Sequence, residues 1–283
     1  MNKAKIYNLQ GAELKSISLP LQFSEIVNPD LIKRAVLVIQ SNKRQRYGAF
    51  EEAGKRQATK LSKRRRNYKT SYGHAISRVG RKIMWRRGRQ FGWTAAFAPG
   101  TVGGRRAHPP TSDKDLSLKI NKRERRKAIR SAIAATMERD YVSVRHALPK
   151  EYPLIIESKI ESLSKTKEIK NLLLKFGLEK ELERVSKRTI RAGKGKARNR
   201  KYQIKKGPLF VVSKLCSLEK AARNLQGFDF VEVDKLNAEL LAPGAVPGRL
   251  VIWSEGAIER LEKEKLFTND VIYIEKEKKD GSI

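Results

Sequence analysis

The chain has 283 residues and carries 63 lysines and arginines against 30 acidic residues, a formal net charge of +33. A charge of this size repels itself in a compact state, so it predicts a nucleic-acid partner ahead of an acidic membrane surface. The single cysteine, Cys216, excludes an internal disulfide, and with three histidines it provides no cluster of zinc-ligand spacing. Because the sequence contains no apolar run of about 20 residues and no signal-peptide pattern, we expect a soluble, intracellular protein without a membrane partner.

The charge is concentrated in three segments. Residues 41–110 have a net charge of +17, residues 119–130 of +6 and residues 184–206 of +11, whereas the other 178 residues sum to −1. A protein that only needed solubility would spread its charge over its whole surface. The distribution therefore predicts a near-neutral folded part that carries basic appendages.

The near-neutral part has regular apolar patterns. At its start these predict two strands and one helix, capped by Asn28 with Pro29 in its first turn: Ala4–Leu9, Leu14–Leu19 and Asp30–Gln40. Five further strands are predicted at Leu154–Glu157, Pro208–Ser213, Phe228–Val233, Arg249–Trp253 and Val271–Glu275. Five further helices are predicted at Lys122–Met137, Lys165–Phe176, Leu178–Lys187, Leu218–Leu225 and Glu255–Glu264.

Short apolar runs that alternate with helices predict an α/β fold. Its sheet is expected to be mainly parallel, with helices on both faces, and the fold also carries a long extended basic loop. We expect the globular α/β part to comprise residues 1–40 and 111–283. The extended loop would occupy residues 41–110, and a second basic loop, residues 188–207, would be inserted in the globular part.

Residues 41–110 show no sustained apolar period of 2 or 3.6. A loop of this length is usually functional or disordered. Aromatic residues lie among its glycines and basic residues, and they include Tyr68, Tyr72, Trp85, Phe91, Trp93 and Phe97. Arginines neutralise phosphates and flat rings stack on unpaired bases, so the composition favours an RNA-binding arm. A disordered charged linker is the alternative interpretation.

The basic segment at residues 119–130 opens a helix. Asn121–Glu124 has the form of a capping box, with Asn in place of Ser or Thr. A face of small and apolar residues is expected to pack closely: Ala128, Ala132, Ile133 and Thr136. The remaining surface, which carries Arg123, Arg126, Lys127 and Arg130, is either an RNA contact or a solvated basic face.

The second basic loop contains no acidic residue and leads directly into a predicted strand. The globular part therefore holds its end in place, and we expect a second RNA-binding loop that projects from the sheet's edge.

Catalytic patterns are missing from the sequence. Gly193–Lys196 lacks the spacing of a phosphate-binding P-loop, Gly100–Gly104 lacks the dinucleotide-binding spacing, and no nucleophile-elbow motif occurs. Cys216 lies beside Leu215 and Leu218, which indicates a core position more than a nucleophile paired with histidine. We therefore predict a protein that is not an enzyme and uses no metal and no cofactor.

Several segments together resemble a known family. They are Thr101–Pro110 (TVGGRRAHPP), Asn121–Thr136 (NKRERRKAIRSAIAAT), Arg191–Lys196, Arg200–Tyr202, Gly207–Leu209, Ala221–Asn224, Leu241–Gly244 and Pro247–Leu250. In this order they resemble ribosomal protein four of the large ribosomal subunit, in its archaeal and eukaryotic branch. The eukaryotic branch has a long C-terminal extension and this chain ends at Ile283, so we expect an archaeal source.

The resemblance implies an architectural function. It implies a structural constituent of the large ribosomal subunit that lies in the cytoplasm, binds 23S-type rRNA, supports subunit assembly and has other large-subunit proteins as neighbours. It also implies that the long loop reaches inward and lines the polypeptide exit tunnel, where the nascent polypeptide passes it.

Site residues follow from the basic segments and from the resemblance. The expected rRNA-binding residues are Arg44, Arg46, Lys55, Arg56, Lys63, Arg64, Arg65, Arg66, Tyr68, Arg81, Lys82, Trp85, Arg86, Arg87, Arg89, Trp93, Arg105, Arg106, His108, Arg123, Arg126, Arg130, Arg191, Lys194, Lys196, Arg198, Arg200 and Lys201. Ser71–Arg78 is similar to the family's loop tip, although His74 replaces the usual Arg and Ser71-Tyr72 replaces Gly-Thr. The expected tip residues are Tyr72, Gly73, His74, Ala75, Ile76 and Arg78.

Two other functions remain as alternatives at this point. One is an RNA-binding regulator that acts off the ribosome. The other is an RNA-modifying enzyme with a basic substrate arm, which would need a pocket with convergent acids or a nucleophile.

Overall fold

The computed structural model describes residues 3–53, 64–67, 72–73, 75, 77–88, 90–95, 98–101 and 104–268. The chain divides into two compact units. One, here called the body, consists of the described residues up to Lys43 and from Ser117 onward. The other, here called the insert, is Arg44–Leu116.

In chain order the strands are β1 (Lys3–Tyr7), β2 (Glu13–Ser18), β3 (Arg81–Arg87), β4 (Gln90–Ala95), β5 (Leu154–Ile156), β6 (Thr189–Ile190), β7 (Tyr202–Gln203), β8 (Leu209–Val212), β9 (Asp229–Glu232) and β10 (Val251–Ser254). The α-helices are α1 (Pro29–Lys43), α2 (Lys122–Ala135), α3 (Arg139–Ser143), α4 (Thr166–Lys175), α5 (Glu179–Ser186), α6 (Leu218–Arg223), α7 (Ala238–Leu241) and α8 (Glu255–Lys263). Short 3-10 turns lie at Leu21–Phe23, Ser158–Ser162, Lys196–Arg198, Val233–Lys235 and Pro243–Ala245. The predicted strand Val271–Glu275 lies outside the described residues.

A six-stranded sheet in the order β2-β1-β5-β10-β8-β9 forms the centre of the body. Strand β2 pairs with β1 in the antiparallel sense, and all the other neighbours in this sheet are parallel. Parallel neighbours require crossover connections, which the intervening helices provide. The prediction of a mainly parallel sheet is confirmed.

Both faces of this sheet are buried. Side chains alternate between them, so Ile155, Val211 and Trp253 join one apolar core, and Ile156, Val212 and Ile252 join the other. Helices α1, α2 and α8 contribute to the first core, and helices α4 and α6 to the second. Helices therefore cover both faces, as predicted, and strands such as β8 are buried along their whole length.

Helix α1 begins as predicted but ends later. The backbone N–H of Leu31 donates a hydrogen bond to the Asn28 side chain (3.1 Å), so Asn28 caps the helix. The helix continues to Lys43, whose ammonium group pairs with Glu239. Residues 41–43 were expected to belong to the extended loop, and this part of the prediction was wrong.

The capping box predicted for α2 is not formed. Asn121 occupies the cap position, but its side chain makes no capping hydrogen bond. The Glu124 carboxylate pairs with Arg34 of α1 instead (3.6 Å). Helices α1 and α2 pack against each other, which brings Arg34 to the Glu124 carboxylate. The local sequence does not reveal this contact.

Part of the expected extended loop has regular structure. Strands β3 and β4 form an antiparallel hairpin with Gly88 at its turn, where φ is +57°. A register shift between Ile83 and Trp85 interrupts the pairing. Such a bulge breaks the period of two, which is why the apolar pattern predicted no strand here. Residues 81–87 and 90–95 of the expected extended loop therefore form a regular hairpin that the sequence did not predict.

Candidate nucleic-acid interface

The segment predicted as a second basic loop is a short hairpin. Strands β6 and β7 pair antiparallel, with Ile190 opposite Tyr202. The backbone N–H of Arg191 extends the pairing with a hydrogen bond to the Lys201 carbonyl (2.8 Å). A 3-10 turn at Lys196–Arg198 then reverses the chain, and Asn199 follows it with a φ of +59°.

Arg191 supports the turn of this hairpin from within. Its Nε donates a hydrogen bond to the Arg200 carbonyl (3.2 Å). A Cβ built on Gly195 would lie 2.9 Å from the Arg191 Cδ, so the two residues are in close contact. Arg191 was predicted as an rRNA ligand, and the structure gives its guanidinium a role inside the hairpin.

The other basic residues of the hairpin are exposed: Lys194, Lys196, Arg198, Arg200 and Lys201. Within the described part of the chain, none of them forms an ion pair, and residues 184–206 contain no acidic side chain. Five cations on one short hairpin produce a positive potential that no neighbouring acid reduces. This is the arrangement expected for contact with a polyanion.

Arg184 connects the root of the hairpin to the body. Its guanidinium donates to both carboxylate oxygens of Glu181, from Nε at 2.7 Å and from Nη2 at 2.6 Å, and to the Lys206 carbonyl (2.7 Å). His146 Nδ1 lies 2.6 Å from the same carboxylate, and the Ala147 N–H also donates to it (3.0 Å). Arg184 is therefore a structural arginine, although it belongs to the basic segment.

The ionisation states of Glu181 and His146 favour this arrangement. Burial alone would raise the pKa of Glu181, but hydrogen bonds from Arg184 and His146 lower it overall. Burial lowers the pKa of His146, although the Glu181 carboxylate opposes this shift. Glu181 thus remains an anion and keeps Arg184 in place.

Arg249 is a second structural arginine of the body. It is almost completely buried, donates to the carbonyls of Gly207 (2.9 Å) and Leu240 (2.9 Å), and pairs with Asp229 (2.6 Å). Gly207 and Arg249 lie in segments that carry the family resemblance, and Leu240 directly precedes a third one. At this point the shared segments stabilise the body and do not offer a surface to RNA.

The β3–β4 hairpin of the insert presents predicted rRNA-binding residues. Trp85, Arg86 and Arg87 are exposed, whereas Arg81, Lys82 and Trp93 are half-buried. The Trp85 indole lies across Gly92, since a Cβ built there would be 2.1 Å from the indole Nε1. An aromatic ring over a cross-strand glycine leaves one ring face outward, where a base can stack.

The other described rRNA-binding residues predicted for the insert lie outside this hairpin. Arg44, Arg46, Arg64, Arg65, Arg66, Arg106 and His108 are exposed, and Arg105 is half-buried. Arg46 pairs with Asp115 (3.3 Å). The interface therefore combines exposed cations with at least one arginine that links two stretches of the insert.

The predicted loop tip is described in part. Gly73 and Ala75 both have positive φ angles, +79° and +51°, which indicate a sharp turn. The Arg78 guanidinium lies 4.7 Å from the centre of the Tyr72 ring. The other tip residues and five predicted rRNA ligands lie outside the described residues: His74, Ile76, Lys55, Arg56, Lys63, Tyr68 and Arg89.

Helix α2 packs as predicted. The small-residue face is buried: Ala128, Ala132, Ile133 and Thr136. Arg123 and Lys127 are exposed on the opposite surface. This surface is consistent with either of the two interpretations, an RNA contact or a solvated face.

Arg126 and Arg130 of α2 bind other parts of the body. Arg130 pairs with Glu25 (2.7 Å) and donates to the Phe267 carbonyl (2.7 Å), while Arg126 donates to the Thr268 carbonyl (3.2 Å). Arg130 is mostly buried. We therefore leave Arg130 out of the proposed interface, although its position in a basic segment predicted it as a ligand.

Two aromatic residues were missed in the sequence. Tyr47 and Tyr202 are both about half exposed, 56% and 50%, and each has a cation near its ring, Arg44 or Lys201. An exposed ring beside a cation is suited to stacking on a base. The signal that identifies them is a tyrosine within a basic run.

The edge of the sheet where α/β folds bind ligands is filled by the protein itself. Ser213 follows β8 and Ser254 ends β10, so both lie at the carboxyl ends of parallel strands. The Glu161 carboxylate accepts hydrogen bonds from the Ser213 N–H (2.8 Å) and from the hydroxyls of Ser213 and Ser254 (2.7 Å each). A carboxylate here repels a phosphate, so this edge does not provide a nucleotide site.

Cys216 packs against the second apolar core, as predicted. Burial raises the pKa of its thiol, which makes it a weak nucleophile. Among the described residues, no group of three His, Cys, Asp or Glu side chains is arranged to hold a metal ion. In the same part of the chain, no helix has the length and apolar character needed to cross a bilayer.

Comparison with known proteins identifies the family. The model of the ribosomal protein L4/L1 family matches residues 17–264. The large ribosomal subunit protein uL4 of Nanoarchaeum equitans is 54% identical over 264 residues, 93% of this chain and 98% of that protein. Those of Methanothrix thermoacetophila and Archaeoglobus fulgidus are 44% and 43% identical over 262 and 261 residues, each 92% of this chain and 98% of the relative.

These relatives are archaeal, as the resemblance implied, and they are named as ribosomal proteins and not as enzymes. The match covers the body and the insert in one continuous alignment range. The chain therefore belongs to the ribosomal protein L4/L1 family.

Proposed function

We propose that the protein is a structural constituent of the large ribosomal subunit that binds 23S-type rRNA and supports subunit assembly in the cytoplasm. The relatives named above are large-subunit proteins, and they align with nearly the whole chain. Its partners are then the rRNA and neighbouring large-subunit proteins. The basic residues of the insert and of the β6–β7 hairpin make the contacts, apart from Arg191.

One observation carries this proposal. The exposed cations of the β6–β7 hairpin have no acidic partner in the described part of the chain, whereas exposed cations of the body such as Lys5 and Arg223 are paired with acids. Unpaired cations gain most from a polyanion, because each phosphate they neutralise releases a counterion. The contacts are mainly to phosphate and sugar, and exposed rings such as Trp85 add stacking.

We further propose that the insert lines the polypeptide exit tunnel. The resemblance of Ser71–Arg78 to the family's loop tip supports this, and so does the sharp turn at Gly73 and Ala75. Small residues at such a turn present a narrow wall with little apolar surface to the nascent polypeptide.

Sucrose-gradient fractionation tests the main proposal. We expect the chain to sediment with large subunits in stoichiometric amounts and to remain there through a moderate salt wash. Recovery at the top of the gradient would overturn the proposal, and recovery there with a bound RNA would favour an off-ribosome regulator.

Cross-linking tests the tunnel contact. The variant Ala75→Cys adds a thiol at the turn, and ribosomes stalled on a chain with one cysteine should form a disulfide with it. The cross-link should appear at one narrow range of chain lengths. Glu13→Cys in β2 of the body is the control, and equal cross-linking at both positions would contradict the tunnel contact.

A further inference from the structure

The insert contains a cavity that is lined by several residues of the proposed rRNA interface. Residues 44–50 and 105–116 run next to each other, and the Ala49 N–H donates a hydrogen bond to the Pro110 carbonyl (2.9 Å). A Cβ built on Gly48 would lie 2.7 Å from the Ser112 nitrogen, so the two backbones are in direct contact. The Arg46–Asp115 ion pair links the same two stretches.

Between them lies a cavity of about 410 Å³. Its lining combines rings and cations, which include Arg44, Tyr47, Arg106, Pro109, Pro110 and Lys114. None of the described residues that line it is acidic. The volume lies at the small end of the range for ligand pockets, which suits a group the size of one nucleotide.

The chemistry of the lining indicates what it binds. Tyr47 is 56% exposed, and the Arg44 guanidinium lies 5.5 Å from the centre of its ring. The face of a base can stack on the flat Tyr47 ring and pack against the proline rings. Arg106 and Lys114, which line the same cavity, can bind the phosphates on either side of that base. A base within a duplex cannot enter such a cavity, because it is stacked and paired.

The neighbouring cavity of the insert provides a contrast. It is larger, about 740 Å³, and has an exposed aromatic residue, Phe50, in its lining. Two acids, Glu51 and Asp113, line it as well and offset the positive charges of Arg105 and Arg106, which also line it. These carboxylates repel phosphate, so an aromatic residue on this side does not produce a nucleotide site.

We propose that the cavity around Tyr47 binds one unpaired nucleotide of the rRNA, with its base stacked on Tyr47 and its phosphates held by the surrounding cations. This inference rests on the proposed rRNA binding and adds to it the feature of the RNA that is recognised. The nucleotide is extruded from a loop, bulge or junction, and it positions the start of the insert on the RNA.

Binding of the full chain to rRNA extracted from the large subunits of its source organism tests the inference. Tyr47→Ala should lower the affinity about 10-fold, the loss typical of one base stack, with an unchanged salt dependence because no phosphate contact is lost. Tyr47→Phe should bind like the wild-type chain. Phe50→Ala, which removes the aromatic residue of the neighbouring cavity, should also bind like the wild-type chain.

Ultraviolet cross-linking of the wild-type complex provides a second measurement. Mass spectrometry should find Tyr47 joined to a nucleotide that chemical probing shows to be unpaired. A cross-link within a paired stem, or equal affinities of Tyr47→Ala and Phe50→Ala, would overturn the nucleotide site while rRNA binding stands. If the wild-type chain does not bind this rRNA, both proposals are wrong.

Discussion

Arg249 in the body and Arg200 in the β6–β7 hairpin belong to one chain but lie in opposite environments. Arg249 is buried, and its guanidinium donates hydrogen bonds to backbone carbonyls and to the Asp229 carboxylate. Arg200 is exposed and has no acidic partner within the described residues. The interior of the body uses arginine as a structural element, and the β6–β7 hairpin, which belongs to the same unit, keeps it available for a partner.

The same difference extends to the two regions as wholes. Outside this hairpin, many cations of the body are paired with acids, some of them far apart in the sequence, as Lys15 is paired with Glu255. The hairpin accumulates positive charge with no compensation. The net charge of the whole chain therefore hides a difference between two regions. The sheet and its helices fold by burying apolar side chains, whereas the β6–β7 hairpin carries unpaired cations that can bind a polyanion.

The first prediction, with the largest change in stability, concerns the buried Arg249. Arg249→Met leaves the carbonyls of Gly207 and Leu240 without a donor in the interior, so we expect the free energy of unfolding to fall by about 3–5 kcal/mol. Arg200→Met, the matched substitution on the hairpin, should change it by no more than about 0.5 kcal/mol. Urea unfolding of both variants measures this, and equal losses would contradict the division.

The second prediction concerns the hairpin cations and rRNA binding. Replacing the five exposed cations by glutamine (Lys194, Lys196, Arg198, Arg200 and Lys201) should weaken binding and reduce its salt slope by ~0.7–0.9 per phosphate contact, ~4 in all. The free energy of unfolding should not change. Affinity measured over a series of salt concentrations gives the slope.

A matched control for this variant exists in the body. It replaces three lysines and two arginines that are exposed but paired with acids: Lys5, Lys15, Lys165, Arg34 and Arg223. Both variants lose the same formal charge. If the slope falls equally in both, binding depends on total charge and not on the hairpin.

A third, local effect is expected in the insert. Gly92→Ala places a Cβ 2.1 Å from the Trp85 indole, so the ring must move and the β3–β4 hairpin should lose about 1–3 kcal/mol of local stability. Hydrogen exchange should become faster in β3 and β4 and remain unchanged in β8 and β10. Adding Trp85→Ala should restore the protection, and faster exchange in β8 as well would show that the two units open together.

The smallest effect concerns pH. The folded-state pKa of His146 is lowered by burial, so the unfolded chain binds protons more readily. The contribution of His146 to stability is complete above its unfolded pKa of ~6.5 and is lost as pH falls through that value toward the folded pKa. Glu181, whose folded pKa is also lowered, loses its contribution below ~4.3.

Urea unfolding between pH 7.5 and 5 measures the histidine part. We expect the free energy of unfolding to decrease with falling pH, and His146→Gln to flatten this decrease. His108→Gln changes an exposed histidine of the insert and should leave the curve unaltered. A flat curve for the wild-type chain would contradict the role of the buried histidine.

Much of the body could be predicted because its signals are local. The run at β8 (LFVV) is apolar along its whole length, and the strand is buried on both faces. Helices α4 and α8 show their buried faces as a periodic pattern, so they were located to within about two residues. The cations of the β6–β7 hairpin were also predicted to be exposed, because a run of basic residues without acids can be recognised from the local sequence alone.

The remainder depends on groups that are distant in the sequence. Arg130 lies in a basic run, yet its partners Glu25 and Phe267 are 105 and 137 residues away, and only folding brings them to it. The β3–β4 hairpin is hidden by its bulge, and the Tyr47 cavity exists only where residues 44–50 meet residues 105–116.

The sequence alone thus determined the α/β class, the order of most elements and the regions where positive charge accumulates, since periodicity and composition are local properties. The tertiary structure decided which cations form ion pairs and hydrogen bonds inside the protein and which remain exposed. It did so because burial and ion pairing depend on neighbours in space, and the order of residues along the chain does not specify those neighbours.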